Sequence, residues 1–143
     1  MVTPVRRSWP PSKRSCGLFT NMLTWAVRTI EFYRTESGNC PVEEFLDDLS
    51  DQDAQKVAWV LRLIERMDMV PVQYLKKLVG TDDLWEVRVQ TGGKSYRLLG
   101  FFDGRVLLVL TSGFSKKQQK TPRREIDLAQ RRRTDYLQRR KKP

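Results

Sequence analysis

The sequence predicts an α+β fold in the order β-α-α-β-β-β-α, in which a helical hairpin precedes an antiparallel three-strand meander and a last helix closes the chain. Three observations carry this reading. Leu84 to Gln90 alternate, with Trp85, Val87 and Val89 on one face and Glu86, Arg88 and Gln90 on the other, which is the period of a strand. After Pro41, which sits where a first helical residue belongs, Val42, Phe45, Leu46 and Leu49 recur at helical spacing. Thr121-Pro122 pairs a cap residue with a first-turn proline, the start signal of a last helix that runs to about Arg140.

The remaining elements fall between these anchors. Thr24 to Tyr33 is rich in β-branched and aromatic residues and runs into Glu36-Ser37-Gly38-Asn39, so it reads as a first strand and its loop. Ser50 with Asp53 resembles a capping box, and Ala54, Val57, Ala58, Leu61 and Ile64 carry a second helix to about Met67. Gly92-Gly93 turns the chain after the alternating strand, and Ser95 to Phe102 forms the next one. Asp103-Gly104 signals a two-residue hairpin, and Arg105 to Ser112 is apolar enough for a central strand. Gly113 is expected to close the sheet, and a basic loop, Ser115 to Lys120, leads to the last helix.

At 143 residues the chain has room for one domain. Residues 1–21, with Pro4, Pro10, Pro11 and scattered Ser and Arg, read as a disordered basic arm or an over-extended start, and residues 22–143 as the folded domain. The longest apolar stretch, Val106 to Leu110, is far too short to span a bilayer. Cys16 and Cys40 make neither a disulfide framework nor a zinc site, so a reducing cytoplasm is the expected location. The net charge of +10 points to a polyanion, most economically nucleic acid. Its distribution is uneven: residues 1–21 carry +4, residues 22–115 carry −3 and residues 116–143 carry +9. With no histidine in the chain, every His-dependent nucleophilic or metal mechanism is excluded, and proton transfer falls to Lys, Tyr, Asp or Glu.

The candidate chemistry is cationic. Arg88 and Arg97 lie on adjacent strands joined by the Gly-Gly turn, and two guanidiniums so placed repel unless an anion lies between them. A phosphate gripped bidentately is one such anion; a solvated sheet face on which Glu86 neutralises one arginine is the plainer alternative. Lys116 and Lys117, with Lys120 beyond, are crowded enough to depress one another's pKa, which suits proton transfer, although a solvated lysine loop has the same sequence. Lys76 and Lys77 precede the alternating strand, and Arg123 and Arg124 open the last helix. Tyr96 and Tyr136 are phenols suited either to stacking and proton transfer or to half-buried packing. Asp82-Asp83 reads as a turn rather than a cation site, and the expected chemistry needs no metal and no cofactor.

Taken in order, Leu84-Trp85-Glu86-Val87-Arg88, Tyr96-Arg97, Gly113-Phe114-Ser115-Lys116-Lys117, and Thr121-Pro122 with Glu125-Ile126 and Ala129 resemble the RelE/HigB toxin family of toxin–antitoxin systems, most closely its phage-derived HigB-type branch. The likeness covers about residues 22–137; each motif is short, and their ordered combination is the specific signal. It implies a RelE-like α+β protein with the helical hairpin and closing helix on a small twisted antiparallel sheet. It further implies a metal-independent, ribosome-dependent mRNA endonuclease that inhibits translation and is restrained by a helix-turn-helix, HigA-like antitoxin. Carried over onto this chain, Arg88, Arg97 and Lys117 occupy the motif positions, and Lys76 and Lys77 match the basic residues ahead of the strand. With the neighbouring cations added from the charge pattern, the candidate catalytic residues are Arg88, Arg97, Lys116 and Lys117, and the candidate RNA- and ribosome-binding residues are Lys76, Lys77, Lys120, Arg123 and Arg124. The chain departs from the family pattern where many relatives place a His or Tyr near the end of the sheet or in the last helix: it has no His, and Tyr136 lies far along the helix. Two other readings stand beside this one, a ParE-like gyrase inhibitor and a non-enzymatic basic nucleic-acid-binding protein.

Overall fold

The computed structural model describes residues 27–117 and 119–141. The expected arm at residues 1–21 and the start of the expected first strand lie outside them. The observed elements are β1 (Thr29–Phe32), α1 (Pro41–Asp47), α2 (Asp51–Arg66), β2 (Leu75–Lys77), β3 (Leu84–Thr91), β4 (Lys94–Asp103), β5 (Leu107–Ser115) and α3 (Arg123–Lys141). They build an α+β fold around one five-stranded sheet of order β1-β5-β4-β3-β2. No helix among the described residues is long and apolar enough to cross a membrane.

Two corrections to the expected sheet follow. Strands β2 to β5 pair antiparallel, but β1 joins β5 in parallel, Thr29 opposite Leu107 and Phe32 opposite Leu110, so the sheet is mixed. Residues 75–77, expected as a segment ahead of the sheet, form its edge strand on β3. Two turns also differ. Asp103 pairs with Leu107, so residues 104–106 form the connection instead of a two-residue turn. Gly113 stays inside β5 rather than ending it, opposite Leu98, and the Phe45 ring of α1 lies where a Cβ at that position would sit. The Gly92-Gly93 turn is as expected: Thr91 pairs with Lys94, and both glycines have positive φ, 54° and 78°, as a tight primed turn requires.

The helical hairpin covers one face of the sheet. Val42 and Leu46 of α1 and Val57, Val60, Leu61 and Ile64 of α2 are buried against Val87, Val89, Leu98, Leu108 and Leu110. Ser50 caps α2 by accepting the Asp53 N–H at 3.1 Å, while Arg28 closes its other end, donating to the carbonyls of Ile64, Met67 and Asp68 at 3.1, 2.6 and 2.9 Å. Helix α3 covers the opposite face with fewer apolar groups, chiefly Ala129 and Ile126 near Leu84, Leu99 and Phe101. Its polar contacts make up the difference. Arg132 donates to the Thr111 carbonyl at 2.8 Å, Tyr33 donates to Asp135 at 2.6 Å, and Arg139 reaches the Arg34 carbonyl at 2.5 Å.

One polar link ties the hairpin to the sheet and makes stability depend on pH. The Tyr96 hydroxyl donates to Asp53 Oδ2 at 2.6 Å, and Lys94 lies 3.3 Å from the same oxygen. The hydroxyl first, and then the ammonium, hold the Asp53 carboxyl below the usual carboxylate range against the opposing effect of burial. The same bond, with burial, pushes Tyr96 up to about 12. A depressed carboxylate contributes stability that is present above its unfolded pKa of about 3.9 and is lost as pH falls through the lower folded value. Tyr96→Phe is therefore expected to be less stable than wild type at neutral pH, with the gap closing in acid. Urea unfolding of both proteins from about pH 7 to about pH 2 measures this, and a gap that stays constant would remove the link.

Candidate active site

The register gathers charge on the α3 face of the sheet. Arg88 of β3 lies directly opposite Arg97 of β4, and Glu86, two residues before Arg88 and so on the same face, lies opposite Lys76 of β2. At the β5 end, the Lys116 amide donates to the Ser95 carbonyl at 2.7 Å, which anchors the start of the basic loop beside β4.

Glu86 is the centre of the group. It is 2% exposed, and one of its oxygens lies 3.6 Å from Arg88 Nε and 3.5 Å from Arg97 Nε. Its other oxygen accepts the Thr121 hydroxyl at 2.5 Å. The carboxylate therefore stands between both arginines, where the sequence suggested that it would neutralise one. Arg97 is nearly as buried, at 5% exposed. Its Nη1 donates to Ser95 Oγ at 2.9 Å and the Tyr96 carbonyl at 3.0 Å, whereas its buried Nε makes no hydrogen bond. Burial, then the Arg88 charge, draws the Arg97 guanidinium below its ordinary pKa, with Glu86 opposing. It remains protonated in any accessible range.

Of the two adjacent lysines, the cluster takes Lys116. It is half-buried, and its ammonium is held below the ordinary lysine pKa first by burial and then by Arg97, Arg88 and Lys76, with Glu86 pulling the other way. Lys117 is exposed. The structure also separates Lys76 from Lys77: Lys77 pairs in register with Trp85, so it points to the hairpin face, where it meets Asp83 at 3.2 Å. Lys120 lies exposed in the loop, and Arg123 and Arg124 are exposed at the start of α3, 3.3 Å from Asp127 and 3.8 Å from Glu125 respectively. Neither tyrosine joins the group. Tyr96 faces the hairpin on Asp53, and Tyr136 packs edge-on against Phe101, ring centroids 5.4 Å apart, with its phenol pushed up to about 12 by burial and then Glu31 and Asp103.

Thr121 is the residue whose role the sequence misassigned. It reads as the cap of α3, but its hydroxyl goes to Glu86, and the Pro122 carbonyl accepts the first N–H groups of the helix, from Glu125 at 3.0 Å and Ile126 at 3.2 Å. Chemically, the site is four cations, Lys76, Arg88, Arg97 and Lys116, around one buried carboxylate. Such a group suits a polyanion and the charge that builds on a phosphorane.

A family model described as phage-derived protein Gp49-like matches residues 44–134, from α1 through most of α3 and including every member of this cluster. No curated protein matches the sequence.

Proposed function

The chain belongs to the phage-derived Gp49-like family, and from that premise and the cationic cluster we propose that it is the toxin of a toxin–antitoxin pair, a ribosome-dependent mRNA endonuclease that stops translation. The observation that carries the reading is the meeting of a half-buried lysine of lowered pKa with two guanidiniums on one sheet face. Toxin-like character agrees with the family; the cleavage, the ribosome and a helix-turn-helix antitoxin of HigA type belong to the proposal.

In this reading the RNA 2′-oxygen attacks the adjacent phosphorus, forming a 2′,3′-cyclic phosphate and breaking the bond to the 5′-oxygen. A base takes the 2′-hydroxyl proton, and an acid gives one to the departing oxygen. Arg88 and Arg97 hold the phosphorane charge, Lys116 moves a proton, and Lys76 grips the backbone. Lys117, Lys120, Arg123 and Arg124 supply an outer basic rim toward the ribosome. Lys77, turned to the other face, is assigned no role in the cleft. Bound mRNA already oriented by the ribosome lowers what is asked of the lysine, since orientation alone contributes on the order of 7 kcal/mol.

Lys116→Arg keeps the charge but cannot release a proton near neutrality. It is expected to bind ribosomes normally and to cleave about 100-fold more slowly, while Lys117→Arg stays close to wild type. Wild-type cleavage should rise with pH through the lowered Lys116 pKa where the lysine is the base, and fall through it where the lysine is the acid. Single-turnover cleavage on programmed ribosomes from neutral to alkaline pH measures both; a fully active Lys116→Arg with the wild-type pH profile sinks the assignment. Primer extension on a cellular transcript after induction tests the wider reading, and growth arrest with intact transcripts and damaged DNA would move the protein to the gyrase-poisoning class.

A further inference from the structure

We propose that Glu86 and Thr121 are a pair of positioning residues: the carboxylate seats Arg88 and Arg97 side by side, and Thr121, bonded to its second oxygen, ties the basic loop and the start of α3 onto them. The inference rests on the nuclease reading of the same cluster.

Two guanidiniums directly opposite on neighbouring strands repel each other, and the cost is greatest where water is excluded. Glu86 removes that repulsion by lying almost equally far from both Nε atoms, at 3.6 and 3.5 Å. This leaves its second oxygen for Thr121, at 2.5 Å. That bond fixes more than one side chain. Thr121 immediately precedes Pro122, whose carbonyl receives the first amides of α3, so holding Thr121 holds the helix start. At the other end of the loop, the Lys116 amide is bonded to the Ser95 carbonyl at 2.7 Å. The loop is thus pinned at both ends to the strands that carry the arginines, and Lys116 is kept half-buried above them. At 2% exposed, Glu86 does not present its oxygens to a substrate. It acts through the groups around it, which is what separates a positioning residue from a catalytic one.

The groups facing Lys116 are Glu86 and Arg88 of β3, Arg97 of β4 and Lys76 of β2. Glu86 is the negative one among them, so removing its charge and removing the latch have opposite consequences for the lysine. In Glu86→Gln, three cations face Lys116 with no counter-charge, and its titration moves to lower pH. In Thr121→Val all charges remain but one pin is released, so Lys116 gains water and its titration moves to higher pH.

The test is an NMR titration of the lysine side chains in the full chain, with the Lys116 signal identified by its loss in Lys116→Arg. Alongside it, single-turnover cleavage by Thr121→Val on programmed ribosomes should fall roughly tenfold or more, the cost of losing the orientation of Lys116. Opposite displacements of the Lys116 titration in the two variants support the proposal. Titrations that stay at the wild-type position overturn it, and should Glu86→Gln fail to fold, Thr121→Val decides alone. Because the titration needs no RNA, the two ideas fail separately. Displaced titrations in a protein that cleaves nothing would sink the nuclease and keep the positioning pair. Normal cleavage with unmoved titrations would do the reverse.

Discussion

Replacing Arg97 with alanine is expected, on the proposed nuclease reading, to lower RNA cleavage by about two to three orders of magnitude, the usual loss when one preorganised charge facing a transition state is removed. It is also expected to destabilise the fold, because Arg97 is buried and paired with Glu86. Removing one partner of a buried pair costs about 3 kcal/mol. A polar strand face read from sequence suggests a harmless truncation; the observed burial says otherwise. Arg97→Lys separates the two effects. An ammonium restores a charge beside Glu86 and part of the stability, but it cannot reproduce the planar fork that also reaches Ser95 Oγ and the Tyr96 carbonyl. The lysine variant should therefore be more stable in urea than Arg97→Ala, yet still cleave poorly. Arg88→Ala, at a position 27% exposed along the side chain, should show the kinetic loss with a smaller stability loss. Full activity of Arg97→Lys in single-turnover assays would reduce Arg97 to a point charge.

Gly100→Ala is expected to be the most destabilising single-methyl change in the sheet. Gly100 lies at the register shift between β4 and β5, and a Cβ there would run into the Val109 carbonyl oxygen, with Leu110 Cδ2 at 2.9 Å and Leu110 Cα at 3.1 Å. Two of these three neighbours are backbone of the adjacent central strand, so relief requires moving β5 itself. Overpacking of this kind costs about 3 kcal/mol, or roughly 10 °C in Tm for a domain of this size. At Gly113 the obstacle is the Phe45 ring, a side chain rather than the backbone of a central strand, so Gly113→Ala should cost less. Thermal melts of the two variants compare them directly, and equal Tm values would show that the β4–β5 irregularity absorbs the methyl.

How much of this was legible depended on whether a period or a local signal existed to be read. The β3–β4 hairpin was legible because Leu84 to Gln90 alternate over several residues and two glycines supply the turn. From it follows the opposition of Arg88 and Arg97. Strand β2 was not, since three residues are too few to display alternation, and that parity is what sends Lys76 to the cluster and Lys77 away. The parallel docking of β1 on β5 leaves no local trace, because Thr29 and Leu107 are 78 residues apart. Loops have no period, so the sequence does not choose between Lys116 and Lys117; the partial burial of Lys116 beside Arg88 and Arg97 does. Thr121 was noticed for a local reason, helix capping, while its partner Glu86 lies 35 residues away. Sequence signals of capping name the residue but not the acceptor that tertiary structure puts within its reach.

The parallel β1–β5 pair also sets a timetable. A chain leaves the ribosome from its N-terminus, and β1 emerges with the helical hairpin long before the strand it must pair with exists. At about 5 to 20 residues per second, the 78 residues between Thr29 and Leu107 take roughly 4 to 16 s to make. During that interval the apolar faces of α1 and α2 have no β4 or β5 to cover, and the strand order places β5 between β1 and everything else in the sheet. The cationic cluster is later still, since its members run from Lys76 to Lys116 and its latch is Thr121. A growing chain thus carries none of the assembled cluster until Thr121 has been made.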